Sequence, residues 1–289
     1  MARIFIKTYG CTHNVADSER MGGLLEQAGH ELVEERASAD VVLVNSCTVK
    51  DPAEKRFWHE ISLTKNAGQL LVIAGCVPQS QPGNEQLAGL PTVGVKEIER
   101  VVEVVEGALA GKAIRATSHR NQPGLSLPRT RRNPLIEIIP INDGCLGSCT
   151  YCATVLARGR LRSHPQHEII NAIRAATREG VKEVWLTSED VGAWGRDIGE
   201  ELPTLLNAIA TIPGEFMVRI GMANPPFLKE YVSELITLFR AHPRRFFRFL
   251  HIPVQSGSNR VLRAMKREYT VQDFLAVVEP LKQAFPEMT

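Results

Sequence analysis

Long apolar runs are missing from this chain. The longest, such as residues 70–77, fall well short of the ~20 residues that a membrane-spanning helix needs. The opening MARIFIKTYG also lacks the apolar core of a secretory signal. A charge excess is missing too: 34 Lys and Arg against 32 Asp and Glu leave a net charge of +2 over 289 residues. A globally basic protein is thereby excluded, and any nucleic-acid surface has to be local. Cysteine is sparse, at six residues, which excludes a small disulfide-built secreted scaffold. None of the eight histidines forms a metal-spaced pair, and there is neither a low-complexity tract nor an internal repeat. The expectation is a soluble cytoplasmic protein without membrane attachment. At 44% hydrophobic and 23% charged, its composition is that of an ordinary globular chain with room for about two domains.

What is present is an alternation of strands and helices. Residues 2–10, 41–45, 69–75 and 92–95 read as strands, and 15–28, 52–65 and 96–109 as helices. The strands are continuously apolar, as in VVLVN, which suits a parallel sheet covered on both faces. The chain is therefore read as α/β, with a small doubly wound domain over residues 1–110. Residues 111–133 lack apolar periodicity, hold prolines, glycines and a basic cluster, and read as a linker. From residue 134 a second alternation begins: strands at 135–142, 182–188, 216–221 and 247–254, and helices at 166–179, 202–212, 228–241, 259–265 and 271–285. Repeated βα units suggest part of a barrel. About four strands are too few to close one, so residues 134–289 are expected to be an incomplete barrel.

Two sets of three cysteines carry the chemistry. GCLGSCTYC places Cys145, Cys149 and Cys152 as C-x3-C-x2-C directly after a strand. Three thiolates within eight residues can reach one centre. The nearest histidine, His164, is twelve residues on, so no fourth zinc ligand stands at finger spacing. An iron–sulfur cluster with one iron lacking a protein ligand suits the pattern, as cluster chemistry suits thiolates. A zinc knuckle or three structural cysteines is the plainer alternative. Tyr151 stands where an aromatic can pack beside a bound ligand. Cys11, Cys47 and Cys76 are dispersed, yet each follows a strand. If those strands are parallel, the three lie along one sheet edge, where open α/β folds bind ligands. A second three-thiolate site is one reading, and buried cysteines acting as small hydrophobes is the other.

The loop around Cys145, Cys149 and Cys152 resembles the cluster-binding signature of radical S-adenosylmethionine (SAM) enzymes. TYGCTHNVADSERM, VNSCTVKDPAEKR and IAGCVPQSQP, followed by that loop, resemble the methylthiotransferase family over essentially the whole chain. The resemblance implies a flavodoxin-like N-terminal domain and a radical SAM partial barrel. It implies two [4Fe-4S] clusters, one held by Cys145, Cys149 and Cys152 together with SAM, the other an auxiliary cluster held by Cys11, Cys47 and Cys76. It implies reductive cleavage of SAM to a 5′-deoxyadenosyl radical and methylthio transfer, with no catalytic side chain beyond the cluster ligands. CTVKDPAEKR, LTSEDVGAWGRDIG and HIPVQSGSNRVLRAMKREY are most similar to the archaeal and eukaryotic branch, which modifies N6-threonylcarbamoyladenosine at position 37 of tRNA, at adenine C2. A single-stranded anticodon loop makes that base accessible. The isopentenyladenosine branch and an inactive iron–sulfur-binding fragment are the alternatives. Family members usually continue into further barrel strands and a small RNA-binding domain, so the chain is expected to be truncated.

The same resemblance suggests SAM-contacting roles for Ser188 and Glu189, with Asp190 beside them, after the second barrel strand. It also suggests such roles for Arg219 and for Gln255 and Ser256. A helix-capping turn and a structural ion pair are the competing readings for the acidic turn and for Arg219. Arg129, Arg131 and Arg132, then Arg158, Arg160 and Arg162, then Arg244, Arg245 and Arg248 form three basic groups. Each is either a solvated face or a contact to tRNA phosphate, and the position of the second group directly after the cysteine loop favours the latter.

Overall fold

The computed structural model describes residues 1–48, 51–118 and 121–289. Val49 and Lys50, in the CTVKDPAEKR segment, and His119 and Arg120, in the expected linker, lie outside the described residues. The chain divides into two compact units, Met1–Arg132 with Ala153–Gly159, and Asn133–Cys152 with Arg160–Thr289.

In the first unit, strands β1 (Arg3–Thr8), β2 (Glu31–Leu32), β3 (Val41–Ser46), β4 (Leu70–Gly75), β5 (Thr92–Gly94) and β6 (Arg115–Ala116) build one sheet in the order β2-β1-β3-β4-β5-β6. Every pairing in it is parallel. The first five strands follow the flavodoxin-like order, with the switch point between β1 and β3. The apolar run of β3 explains itself by alternation. Val41 and Leu43 face the cluster that includes Met21 and Leu25 of α1 (Thr12–Gln27) and Val101, Val104 and Val105 of α4 (Val101–Leu109). Val42 and Val44 face Phe57 and Ile61 of α2 (Asp51–Asn66). Both faces are covered over residues 41–44, so this stretch is apolar on both sides. A short helix α3 (Cys76–Ser80) follows β4, and α5 (Thr154–Arg158) packs against it.

Residues 111–132 belong to this first unit. Arg115 and Ala116 extend the sheet as β6. Further on, the Thr130 and Arg132 amides donate to the carbonyl and carboxylate of Glu19 on α1, at 2.9 Å each. Composition alone gave no sign of this, because backbone amides found partners where side chains show no period.

In the second unit, β7 (Ile136–Pro140), β10 (Glu183–Thr187) and β11 (Met217–Ile220) form a parallel sheet in the order β11-β10-β7. The helices are α6 (Gln166–Arg178), α7 (Leu202–Ala210), α8 (Pro225–Ala241), α9 (Asn259–Ala264) and α10 (Val271–Ala284). Between β7 and α6, β8 (Asn142–Asp143) and β9 (Arg162–Ser163) pair antiparallel. Val184, Leu186, Val218 and Ile220 are buried and alternate with half-buried Glu183, Trp185, Met217 and Arg219. The strand expected at 247–254 is corrected: two isolated parallel bridges, Val218–Phe246 and Met222–His251, replace a continuous ladder. Two prolines, Pro243 and Pro253, flank or enter that run, and neither offers an N–H to a ladder. Among the described residues no helix is long and apolar enough to cross a membrane.

Candidate functional sites: two groups of three thiols

Cys11, Cys47 and Cys76 follow β1, β3 and β4, three adjacent strands of one parallel sheet. Parallel strands put all their C-terminal ends on one edge, so thiols separated by 36 and 29 positions are gathered there. Cys11 occupies the N-cap of α1 and Cys76 opens α3. Asn14, fully buried, ties the group together. Its side-chain oxygen accepts from the Cys11 thiol at 3.2 Å. Its nitrogen donates to the Ser46 carbonyl at 3.0 Å and reaches the Cys76 sulfur at 3.7 Å. Asn45 in turn donates to the Asn14 carbonyl and to Ser18 Oγ, at 2.8 Å each.

Glycine makes the close approach feasible. Gly75 has φ +96°, and a Cβ there would overlap Asn45 Oδ1 and lie 2.5 Å from the Ser46 carbonyl oxygen. Gly10 has φ +122°, with the Cys47 Cβ 2.7 Å from where its own would stand. Only glycine meets both conditions without strain. Burial pushes the Cys76 thiol up to about 12, opposed by the Arg158 guanidinium and reinforced by Cys11, Cys47 and Asp17. Without a metal this sulfur keeps its proton, and a metal would have to displace it.

The second group lies in the loop between β8 and α5. Gly147 sits between two of the sulfurs. A Cβ there would be 3.5 Å from Cys145 Sγ and 3.7 Å from Cys149 Sγ, and its amide donates to Cys145 Sγ at 3.3 Å. The Cys152 amide donates to the Cys149 carbonyl at 3.2 Å, closing the turn. The Thr150 amide donates to the Met265 carbonyl and anchors the loop beside α9. Burial pushes the Cys145 thiol up to about 11, with Gly147 opposing and Asp190, Cys152 and Cys149 reinforcing.

The residues fit a soft-metal centre in both places. Each offers three thiols, all six cysteines are free rather than disulfide-bonded, and N–H donors point at sulfur. Such donors favour thiolate ligands and tune a bound cluster.

A small cleft beside Cys145 and Cys149 is also lined by Asp190, Asn224, Arg267 and Tyr269. Asp190 is buried; its carboxylate accepts from the Asn224 amide and the Gly192 amide at 3.1 Å and from the Asn224 side chain at 2.7 Å. Burial pushes Asp190 up to about 6 against the pull of those donors. Arg267 donates to Asn224 Oδ1 and to the Tyr151 hydroxyl, and lies over the Tyr151 and Tyr269 rings.

The SAM-contacting expectations separate on this geometry. Tyr151 is exposed beside the cleft, joined to it by Arg267. Ser188 does not line the cleft; its hydroxyl accepts from the amide of Asp190 at 3.0 Å, and Asp190 is the residue that caps the turn that follows. Glu189 does not line it either, whereas Asp190 does. Arg219 stacks between Trp185 and Phe249, its guanidinium carbon 5.0 Å from each ring centroid. Gln255 stands at φ +64° and Ser256 caps a turn by accepting from the Ser258 amide at 3.2 Å.

Sequence reasoning missed Asn14, Asn224 and Arg267 at these sites. Nothing local marks the last two, since each acts on partners distant in sequence, and Asn14 reaches Ser46 and Cys76 only through the fold. The basic groups divide as well. Arg158 is corrected as a phosphate contact: it is 3% exposed and ion-paired to Asp17 at 2.7 Å. Arg245 stacks on Phe216 at 3.7 Å and donates to three carbonyls, and Arg248 stacks on Phe285 at 4.1 Å. Arg160, Arg162 and Arg244 are exposed.

Comparison with known proteins agrees with this division. Residues 3–94 match the model of the uncharacterized protein family UPF0004, and residues 139–289 that of the radical SAM superfamily. The human threonylcarbamoyladenosine tRNA methylthiotransferase is 48% identical over 99% of this chain and 51% of its own length. The zebrafish (Danio rerio) protein of the same name is 46% identical over 100% and 54%. A protein of Pyrococcus abyssi named "Probable threonylcarbamoyladenosine tRNA methylthiotransferase" is 41% identical over 100% and 68%. The chain thus spans about half the length of the animal relatives it matches. Among solved structures, the radical SAM methyltransferase TsrM from Kitasatospora setae aligns with TM-score 0.63 at 14% identity, over 98% of this chain and 66% of that one. The radical SAM enzyme OxsB aligns with TM-score 0.61 at 12% identity, over 98% and 48%. These two establish the fold, and the sequence relatives establish the lineage: the chain belongs to the threonylcarbamoyladenosine tRNA methylthiotransferase family of the radical SAM superfamily.

Proposed function

We propose that this chain carries the cluster-binding part of a tRNA methylthiotransferase, acting at C2 of N6-threonylcarbamoyladenosine 37 in the anticodon loop. The observation that carries the reading is the gathering of two separate sets of three thiols, each with an N–H donor aimed at sulfur. Cys145, Cys149 and Cys152 would hold the [4Fe-4S] cluster that works with SAM, and Cys11, Cys47 and Cys76 a second one. When bound, the clusters and SAM supply the electron, the radical and the methylthio group that side chains cannot make.

The chain's own part is to bind and orient. Asn14 holds Cys11 and Cys76 at one centre, and Gly147 lets two sulfurs approach its own backbone. An acid, an amide and a cation, Asp190, Asn224 and Arg267, wall the cleft beside Cys145. They complement the amino and carboxylate groups of an amino-acid-type ligand such as SAM. Tyr151 offers that ligand an aromatic face. Arg160 and Arg162, exposed and close in sequence to the cysteine loop, are suited to tRNA phosphate. Hydrogen abstraction from an adenine carbon needs no general base, so no further acid–base residue is assigned. A cytoplasmic location goes with a tRNA substrate.

The test is iron and acid-labile sulfide per chain after anaerobic reconstitution. About eight irons, falling to about four in either Cys145→Ala or Cys47→Ala, supports two clusters. About four irons, lost only with Cys145→Ala, overturns the second site. Mass spectrometry of nucleosides from tRNA incubated with SAM and a reductant then identifies the product.

A further inference from the structure

The helix that follows the cysteine loop, α5, belongs to the first unit. It starts two residues after Cys152, and its last residue is Arg158. Two of its side chains reach the N-terminal thiol group. Ala157, 1% exposed, packs with Cys76 and Val95 in one apolar cluster. Arg158, also buried, donates from Nη2 to Asp17 Oδ2 at 2.7 Å. Asp17 lies on α1, six positions after Cys11.

A buried ion pair seldom adds net stability, because desolvating two charges costs about what their attraction returns. This one therefore calls for another account. Its surroundings supply one. Arg158 follows Ala157, the residue packed against Cys76, and its buried guanidinium acts on the Cys76 sulfur. The acid of the pair sits on α1 and the cation on α5, the helix packed against α3, which Cys76 opens. Three thiolates gathered on one edge repel one another, as Cys11 and Cys47 do at Cys76. A fixed cation beside them offsets that repulsion in a medium where water cannot.

We propose that Arg158 is a positioning residue of the N-terminal thiol site: α5 closes over Cys76, and the Arg158–Asp17 pair sets the charge that a cluster bound by Cys11, Cys47 and Cys76 experiences. The potential and retention of that cluster then depend on a segment anchored in sequence directly behind the SAM-site cysteines. This rests on the two-cluster reading above. Phosphate binding by Arg158 is excluded by its burial, and its neighbours Arg160 and Arg162 are left to that role.

The experiment uses the full chain carrying Cys145→Ala, Cys149→Ala and Cys152→Ala, so that only N-terminal iron remains. That background is checked first. About four irons per chain keeps the two-cluster reading, and no iron overturns it and the proposal with it. Arg158→Gln, Arg158→Lys and Asp17→Asn are then compared by redox titration followed by electron paramagnetic resonance, and by the rate of iron loss to a chelator. Losing the cation disfavours the added electron, so Arg158→Gln shifts the midpoint potential down and speeds iron loss. Arg158→Lys restores most of both. Asp17→Asn removes the opposing charge and shifts the potential up. Were Arg158→Gln to fail to fold, the near-isosteric Asp17→Asn still gives a sign to read. Unchanged potentials and iron-loss rates in the variants, with four irons retained, would overturn the role of Arg158 while leaving the second cluster standing.

Discussion

Gly75→Ala isolates how the fold delivers Cys76. Gly75 pairs with Ser46 across β4 and β3 and stands at φ +96°. An alanine there bears two penalties. The backbone here, at φ +96°, ψ −148°, lies in a region essentially reserved to glycine, which costs a Cβ-bearing residue about 1–3 kcal/mol. The methyl would also overlap Asn45 Oδ1 and come within 2.5 Å of the Ser46 oxygen and 2.7 Å of its nitrogen. Two of those atoms are backbone of the neighbouring strand, so relief requires moving β3 or β4, an overpacking cost of about 1–3 kcal/mol. Gly89→Ala is the control. Gly89 has φ +71°, but a Cβ there meets nothing within 4 Å. It bears the conformational penalty alone, partly offset by the stiffer unfolded chain. The expected loss is about 2–6 kcal/mol for Gly75→Ala against about 1 kcal/mol for Gly89→Ala. Urea titration followed by far-ultraviolet circular dichroism reads both. In the Cys145→Ala, Cys149→Ala, Cys152→Ala background, iron retention should fall for Gly75→Ala and hold for Gly89→Ala. Equal midpoints for the two variants would refute the claim that close backbone packing, rather than φ alone, demands glycine before Cys76.

Other consequences follow from the same geometry. Asp190 is buried with its pKa raised to about 6 from 3.8, so the folded metal-free chain holds a proton that the unfolded chain releases earlier. Its stability should therefore fall as pH rises from about 4 to about 6, by up to about 3 kcal/mol, and Asp190→Asn should flatten that slope in denaturant titrations across the range. Asp273 is shifted the other way, down to about 2, by its bonds to Lys229 and Thr270, so its contribution is present above about 4 and lost as pH falls toward 2. Asp273→Ala breaks the capping box of α10, and a cost of about 1 kcal/mol at neutral pH, shrinking in acid, should appear in thermal melts. Arg245→Ala removes a stacked side chain and three hydrogen bonds and should cost about 2 kcal/mol, whereas exposed Arg244→Ala should stay within about 0.5 kcal/mol of the parent in the same melts. Arg160→Ala and Arg162→Ala should each lower the slope of log affinity for tRNA against log salt by about one, read by filter binding at several salt concentrations.

Much of this molecule was legible before its structure. The alternation of apolar strands with helices fixed the α/β class, because a strand covered on both faces is apolar over most of its length, as residues 41–44 of β3 and 71–74 of β4 are. The clustered cysteines marked their own loop, since three ligands within eight residues need no long-range contact to meet. The dispersed cysteines were legible at one remove: parallel strands share an edge, so thiols after β1, β3 and β4 had to meet there. Local signals failed where the deciding partner was far along the chain. The strand expected at 247–254 had the right composition, but its prolines leave only two bridges. Arg158 reads in sequence as one of three arginines spaced two apart, yet only the packing of α5 against α3 shows that it is buried on Asp17 while Arg160 and Arg162 face solvent. Asp190, Asn224 and Arg267 come from three distant segments with no motif between them. Sequence by itself determined the fold class and the two sets of three cysteines, because periodicity and residue spacing are local properties. Tertiary structure alone decided which charges surround those thiols, because burial and ion pairing exist only once distant segments are packed together.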